Sequence, residues 1–206
     1  MADGRLITIE GIDGAGKTTL AEALAVTLSK RGLAVSLLRE PGGVAASERV
    51  RELVKDPAMT IGARAEALLY AAARAQLVEE AIRPLLRAGS WVLLDRFVDS
   101  SLAYQGAGRE LGIESVRAIN EFGTGGLHPD RTLWLTLPPA TARGRSQDRG
   151  ELLDRLERER AEFFERIERA YAELAADEPE RVRRIDATLS PDQVLAQSLA
   201  ALADLL

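Results

Sequence analysis

Apolar side chains recur along this chain in two periods, and their alternation predicts a sheet covered by helices. Leu6 to Ile9 is a short run rich in β-branched residues, the pattern of a buried strand. From Lys17 to Arg31 the positions Leu20, Leu24 and Leu28 fall on one helical face, and Gly32 supplies a stop. Leu33 to Leu38 predicts a second strand, closed by the tight loop Arg39-Glu40-Pro41-Gly42-Gly43. Val44 to Lys55 reads as a helix, Ala63 to Arg87 as a longer one ending at Gly89, and Ser90 to Leu94 as a third strand running into Asp95 and Arg96. Glu114 to Glu121 is predicted helical and Arg131 to Leu137 a fourth strand. Between Leu152 and Ala176 the residues Leu156, Phe163, Ile167, Tyr171 and Leu174 trace an amphipathic helix. Arg181 to Ile185 is a last short strand, and Pro191 to Leu206 a closing helix. Only Ala142 to Glu151, with Gly144, Gly150 and three arginines, lacks a pattern, and it is predicted to be a mobile loop. Strands alternating with helices predict an α/β/α architecture around a five-stranded parallel sheet.

At 206 residues, 46% hydrophobic, the chain suits a single domain spanning 1–206, with no linker or repeat to divide it. It has no cysteine, which excludes disulfides, thiolate metal sites and a cysteine nucleophile. A net charge of −5 is the wrong sign for gripping a phosphate backbone, so no nucleic-acid partner is expected. No run of 18 apolar residues occurs, and the first residues carry no basic segment leading into an apolar one; the expectation is a cytoplasmic protein that does not enter membranes.

Chemistry enters at Gly11-Ile12-Asp13-Gly14-Ala15-Gly16-Lys17-Thr18-Thr19, a glycine-rich loop with the phosphate-binding spacing, set between the first strand and the first helix. Glycines let successive backbone N–H groups turn inward around phosphates, and the helix start adds its positive dipole end. Lys17 would reach the β- and γ-phosphates of a nucleoside triphosphate, and Thr18 would hold Mg²⁺. Asp95 ends an apolar strand, where it is either a second metal ligand or a helix cap. Arg39 and Arg96 end separate strands on one sheet edge, suited to clamping a second phosphate or to surface pairing. The arginines of the 142–151 segment would close over the transferred group. Asn120 is the sole asparagine and is followed by Glu121, so the base-reading Asn-Lys-x-Asp of GTPases is absent. His128, the one histidine, precedes a proline in a turn and is not expected to act as a base.

These residues resemble the bacterial thymidylate kinase family over nearly the whole chain. The likeness rests on Ile9 to Thr19, Arg39-Glu40-Pro41-Gly42-Gly43, Asp95-Arg96-Phe97, Ser100-Ser101, Ala103-Tyr104-Gln105-Gly106, His128-Pro129-Asp130, Arg149-Gly150-Glu151, Phe163-Phe164 and Ile185-Asp186-Ala187. It implies transfer of the γ-phosphate of Mg·ATP to dTMP, giving dTDP and ADP for dTTP synthesis. Lys17, Arg149, Asp13 and Arg96 would be catalytic, and the loop from Gly11 to Thr19, with Arg143 and Arg145, would bind ATP. Arg39, Pro41, Arg96 and Asp13 would hold dTMP, Asp13 facing its 3′-hydroxyl. Tyr70 would stack on thymine, Arg74, Ser101 and Gln105 would contact the base, and Tyr104 would stand against the sugar 2′ carbon. Thr18 and Asp95 would hold Mg²⁺. Because Gly14 occupies the loop position where some relatives carry an arginine, the lid of about 142–151 would supply it, through Arg149 or else Arg143 or Arg145. Thr136 stands where the family pattern has an aspartate. The resemblance also implies a homodimer. The rivals are a kinase for another pyrimidine monophosphate, a deoxynucleoside kinase, and a nucleotide-dependent switch or ATPase acting on a macromolecule.

Overall fold

The five strands form one parallel sheet in the order β2-β3-β1-β4-β5, seen in a computed structural model that describes residues 4–138, 141–142, 144–145, 155–156 and 158–206. Strand β1 (Leu6–Glu10) is buried at every position and lies in the middle. It pairs with β3 (Trp91–Asp95) on one side and β4 (Arg131–Thr136) on the other, with β2 (Val35–Arg39) and β5 (Val182–Asp186) at the edges. The two-residue period of the strands divides their side chains between two cores. Ile7, Ile9, Leu93 and Leu133 join Leu24 and Leu28 of α1 (Lys17–Lys30), while Leu6, Val92 and Leu94 join Leu77, Val78 and Ile82 on the other face. Each such side chain contributes about 1.5–3 kcal/mol on burial. Because all strands are parallel, the loops after β1, β2 and β3 gather on one edge of the sheet, where parallel folds bind ligands.

Helices α2 (Ala45–Lys55), α3 (Ala63–Leu77), α6 (Ile113–Thr124) and α8 (Pro191–Ala201) stand close to their predicted ranges. The long helix expected over 63–87 is present but changes register: α3 passes into a π-helical turn, Val78–Ile82, before α4 (Arg83–Arg87). Pro84 has no N–H for the carbonyl of Glu80 and its ring crowds that carbonyl, so the helix widens just before it. Periodicity missed a second such element. A short helix α5 (Val98–Ser101) leads into a π-helical segment, Leu102–Gly108.

Two expectations near the arginine-rich stretch are corrected. Helix α7 (Ala161–Asp177) starts well after Leu152, since Arg155 is drawn to the Glu66 carboxylate and the Val54 carbonyl and Glu159 to Arg109. Positions 142, 144 and 145 are helical where a loop was expected. Arg143 and Arg149 fall outside the described residues. Among the described residues no helix is long and apolar enough to cross a membrane.

Candidate active site

A cleft of about 870 Å³ opens on the carboxyl edge of the sheet. Its floor is the glycine loop between β1 and α1. The backbone turns with positive φ at Gly11, Gly14 and Gly16, a conformation that glycine adopts without steric cost. Gly14 also meets the segment after β4, and a Cβ there would stand 2.3 Å from the Ala142 carbonyl oxygen. No side chain fits at that position without a shift of the backbone it meets.

Lys17 is buried at the loop, its Nζ donating to the Ile12 carbonyl at 3.0 Å and lying 3.7 Å from Asp13. Burial, helped by the Arg96 charge, lowers its pKa. Thr18 Oγ1 donates to Asp95 Oδ2 at 3.0 Å, so the two predicted metal ligands stand together at the end of β3. Two hard oxygen donors suit Mg²⁺, which is held by few protein oxygens and completed by phosphates and water. Among the described residues no cluster of three acidic, histidine or cysteine side chains offers a fuller cage.

Across the cleft floor, Arg96 Nη2 donates to Asp13 Oδ1 at 2.8 Å and to the Tyr104 hydroxyl at 3.3 Å, and Nη1 donates to Ser100 Oγ at 3.0 Å. Its Nε–H and one Nη1–H take no partner among the described residues. Although burial opposes ionisation of Asp13, the Arg96 and Lys17 charges hold its carboxyl well below the usual range. Arg39 is more than half exposed and pairs with Glu48 at 3.0 Å. Helix α2 also ties down the loop that Arg39 opens: Glu48 accepts from the Gly43 N–H at 2.8 Å, and Arg51 donates to the Pro41 carbonyl at 2.9 Å. Glu48 and Arg51, which also line the cleft, were not foreseen; their three-residue spacing just past Pro41-Gly42-Gly43 was the available signal.

The far wall carries Tyr70, Arg74, Ser101, Tyr104 and Gln105. Tyr70 and Arg74 stand one turn apart on α3, as predicted, and the π-helical segment presents Tyr104 and Gln105. Arg74 differs from expectation in its partners. It is 2% exposed, and its donors go to Glu40 (2.6 and 2.7 Å), Ser101 Oγ (2.9 Å), the Phe97 carbonyl (2.9 Å) and the Asn120 amide oxygen. All five N–H groups are directed into the protein, so a contact to a base requires one of them to be released. Gln105 donates from Nε2 to Glu66 at 2.8 Å, which fixes its amide oxygen as the end left to accept. Glu66 is fully buried and also receives Arg109 and Arg155.

Of the remaining residues singled out from the sequence, the predicted ATP contact Arg145 lies away from this geometry, as do Thr136 and His128, for which no role was expected. Arg145 donates to the Ala187 carbonyl at 3.2 Å, beyond the end of β5. Thr136 bonds the Ile185 carbonyl and accepts from Arg184. His128 is two-thirds exposed, near Glu121, in a smaller cavity of about 280 Å³ that the cleft does not share.

Residues 9–197 match the family model described as thymidylate kinase. The chain is 47% identical over 205 residues to the thymidylate kinase of Rhizorhabdus wittichii, covering 98% of this chain and 99% of that one. It is likewise 47% identical to the thymidylate kinase of Deinococcus radiodurans, covering 99% and 98%. The solved structure of the Ehrlichia chaffeensis thymidylate kinase superposes with a TM-score of 0.81 at 28% identity, covering 98% of this chain and 99% of that one.

Proposed function

Since the chain belongs to the thymidylate kinase family, its reaction is the phosphorylation of dTMP to dTDP, and we propose that Mg·ATP is the donor and that the cleft divides between the two nucleotides. Lys17 and the N–H groups from Gly11 to Thr19 cradle the β- and γ-phosphates. Thr18 and Asp95 hold Mg²⁺, which neutralises phosphate charge when bound. Arg96, with Arg39, grips the dTMP phosphate. One oxygen of that phosphate attacks the γ-phosphorus, the bond from phosphorus to the ADP oxygen breaks, and no covalent enzyme intermediate forms. Asp13 faces the 3′-hydroxyl while orienting Arg96. Tyr70 stacks on thymine, Ser101 and Gln105 contact it, and the Gln105 oxygen accepts from its N3–H. Arg74 acts on the base through Ser101 or by releasing that contact. Tyr104 excludes a 2′-hydroxyl. Arg149, or Arg143 or Arg145, supplies the lid cation, and the setting is the cytoplasm.

The observation that carries this reading is one cleft holding a phosphate loop, the cations Arg39 and Arg96, and an aromatic and amide wall of Tyr70, Tyr104 and Gln105. ADP release from Mg·ATP is expected to be strong with dTMP, weaker with dUMP, and near background with thymidine, CMP, AMP, GMP or no acceptor. Equal turnover without acceptor, or preference for thymidine, would overturn it.

A homodimer is part of the proposal. Large apolar side chains are exposed on three helices: Phe122 on α6 at 92%, Leu68 on α3 at 57% and Leu53 on α2 at 37%. A Cβ on Gly123 would meet the Ala71 carbonyl at 3.2 Å, so α6 and α3 pack closely against each other. Large apolar side chains left exposed are candidates for an interaction surface, and we assign these three to the interface between two copies. Sedimentation at micromolar concentration is expected to give a dimer, which Phe122→Glu weakens by about 30-fold or more. A native chain that sediments as a monomer would remove this part of the reading.

A further inference from the structure

We propose that Glu10 is a positioning residue for the acceptor phosphate, acting through Ser100 and the Arg96 turn. The proposal rests on the reading of Arg96 as the phosphate clamp. Glu10 is the last residue of β1 and immediately precedes the glycine loop. By the two-residue period its side chain leaves the sheet on the face of Leu6 and Thr8, opposite to Ile7 and Ile9, and it is fully buried there. Each carboxylate oxygen is used. Oε1 accepts from the Phe97 N–H at 2.7 Å; Oε2 accepts from Ser100 Oγ at 2.5 Å and from the Tyr171 hydroxyl at 2.8 Å.

These contacts bracket Arg96 from both sides. Arg96 has φ +72°, a left-handed conformation that a side chain with a Cβ adopts at a cost of about 1–2 kcal/mol. Its own N–H donates to the Ile9 carbonyl at 3.0 Å, and the next N–H, that of Phe97, is the one Glu10 captures. The Ser100 hydroxyl gives its single hydrogen to Glu10, so its lone pair is the part that receives Arg96 Nη1. Glu10 therefore fixes both the backbone that turns Arg96 into the cleft and the hydroxyl that sets the direction of its guanidinium. The opposite side of Arg96 is held by Asp13, three residues beyond Glu10 in the glycine loop. One short stretch of chain thus sets the donor cradle and the acceptor clamp relative to each other.

The site is an unfavourable place for an acid. Burial, reinforced by Asp99, pushes the Glu10 carboxyl up to about 7. An apolar side chain of similar volume would stand beside Trp134, its partner on β4, and Tyr171 without that cost. The contacts to Phe97, Ser100 and Tyr171 are what the carboxylate supplies in return.

The test is the ratio of dTMP to thymidine affinity, measured by calorimetry, because the two ligands differ only in the phosphate. Glu10→Gln is expected to weaken dTMP binding about tenfold, the effect of one misdirected charge-assisted contact, and to change thymidine binding less than about twofold. Ser100→Ala, which severs the link without touching Glu10, is expected to show the same selectivity, and it decides the matter if Glu10→Gln does not fold. In an Arg96→Gly background Glu10→Gln should have no further effect on dTMP affinity. Equal losses for both ligands, or an unchanged ratio in Glu10→Gln and Ser100→Ala, would overturn the inference. If Arg96→Gly itself leaves the ratio unchanged, the clamp reading fails first.

Discussion

Lys17→Met is expected to lower kcat by about 10³-fold while dTMP affinity stays within about threefold of the native value, because only the donor side loses a cation. Methionine keeps the length of the buried stem and removes the ammonium. In the native site that ammonium is 7% exposed, bonded to the Ile12 carbonyl and near Asp13, so it is already desolvated and aimed along the glycine loop. Charge developing between the β- and γ-phosphates meets a group that need not reorganise, which is where electrostatic catalysis is strongest. Stability should change little. The Ile12 carbonyl loses a donor at a cost of about 1 kcal/mol, and the protein is relieved of a buried charge of similar burden. Steady-state kinetics with both substrates, alongside thermal unfolding, separate these effects. A folded variant retaining more than about a tenth of native kcat would show that the backbone N–H groups, not Lys17, carry the stabilisation.

What could be read from the sequence follows how local each feature is. The glycine loop, Asp95 and Arg96 were legible because their chemistry lies in consecutive residues placed at the ends of strands. Residues 98–108 were not: Ser100, Ser101, Gly106 and Gly108 are poor helix formers, and tertiary packing against α6 and α7 overrides that preference. The buried acids were hidden for a different reason. Glu10 and Tyr171 are 161 positions apart, and Glu40, Phe97, Ser101 and Asn120 converge on Arg74 from separate elements. No periodicity encodes such pairings. The late start of α7 has the same origin, since Arg155 and Glu159 find partners across the fold that outweigh continuing a helix of charged residues.

Arg96→Gly is expected to reduce kcat/KM for dTMP by about 10³-fold, the loss of a buried charge-assisted contact to a dianion, and to leave thymidine binding within about twofold. Glycine is the informative replacement because the residue sits at φ +72°, a conformation glycine adopts without the strain that Arg96 already bears, so a loss of activity reports the side chain and not a weakened backbone. The guanidinium does three things that disappear together. It lines the cleft with a charge whose Nε–H and one Nη1–H take no partner among the described residues, holds Asp13 at 2.8 Å, and stacks at 5.0 Å over the Tyr104 ring. Arg39 cannot replace it, being more exposed and paired with Glu48, so its contribution is screened by solvent. Arg39→Ala should consequently cost less, about tenfold, and mainly in KM. Losing Arg96 also removes the main charge that keeps Asp13 ionised, leaving Lys17 at 3.7 Å as its partner, so the Asp13 carboxyl should titrate at higher pH in the variant. The low-pH limb of the kcat/KM profile is then expected to move upward relative to the native enzyme. A variant with near-native kcat/KM for dTMP, or one that loses thymidine and dTMP binding in equal measure, would mean that Arg96 shapes the cleft without gripping the phosphate.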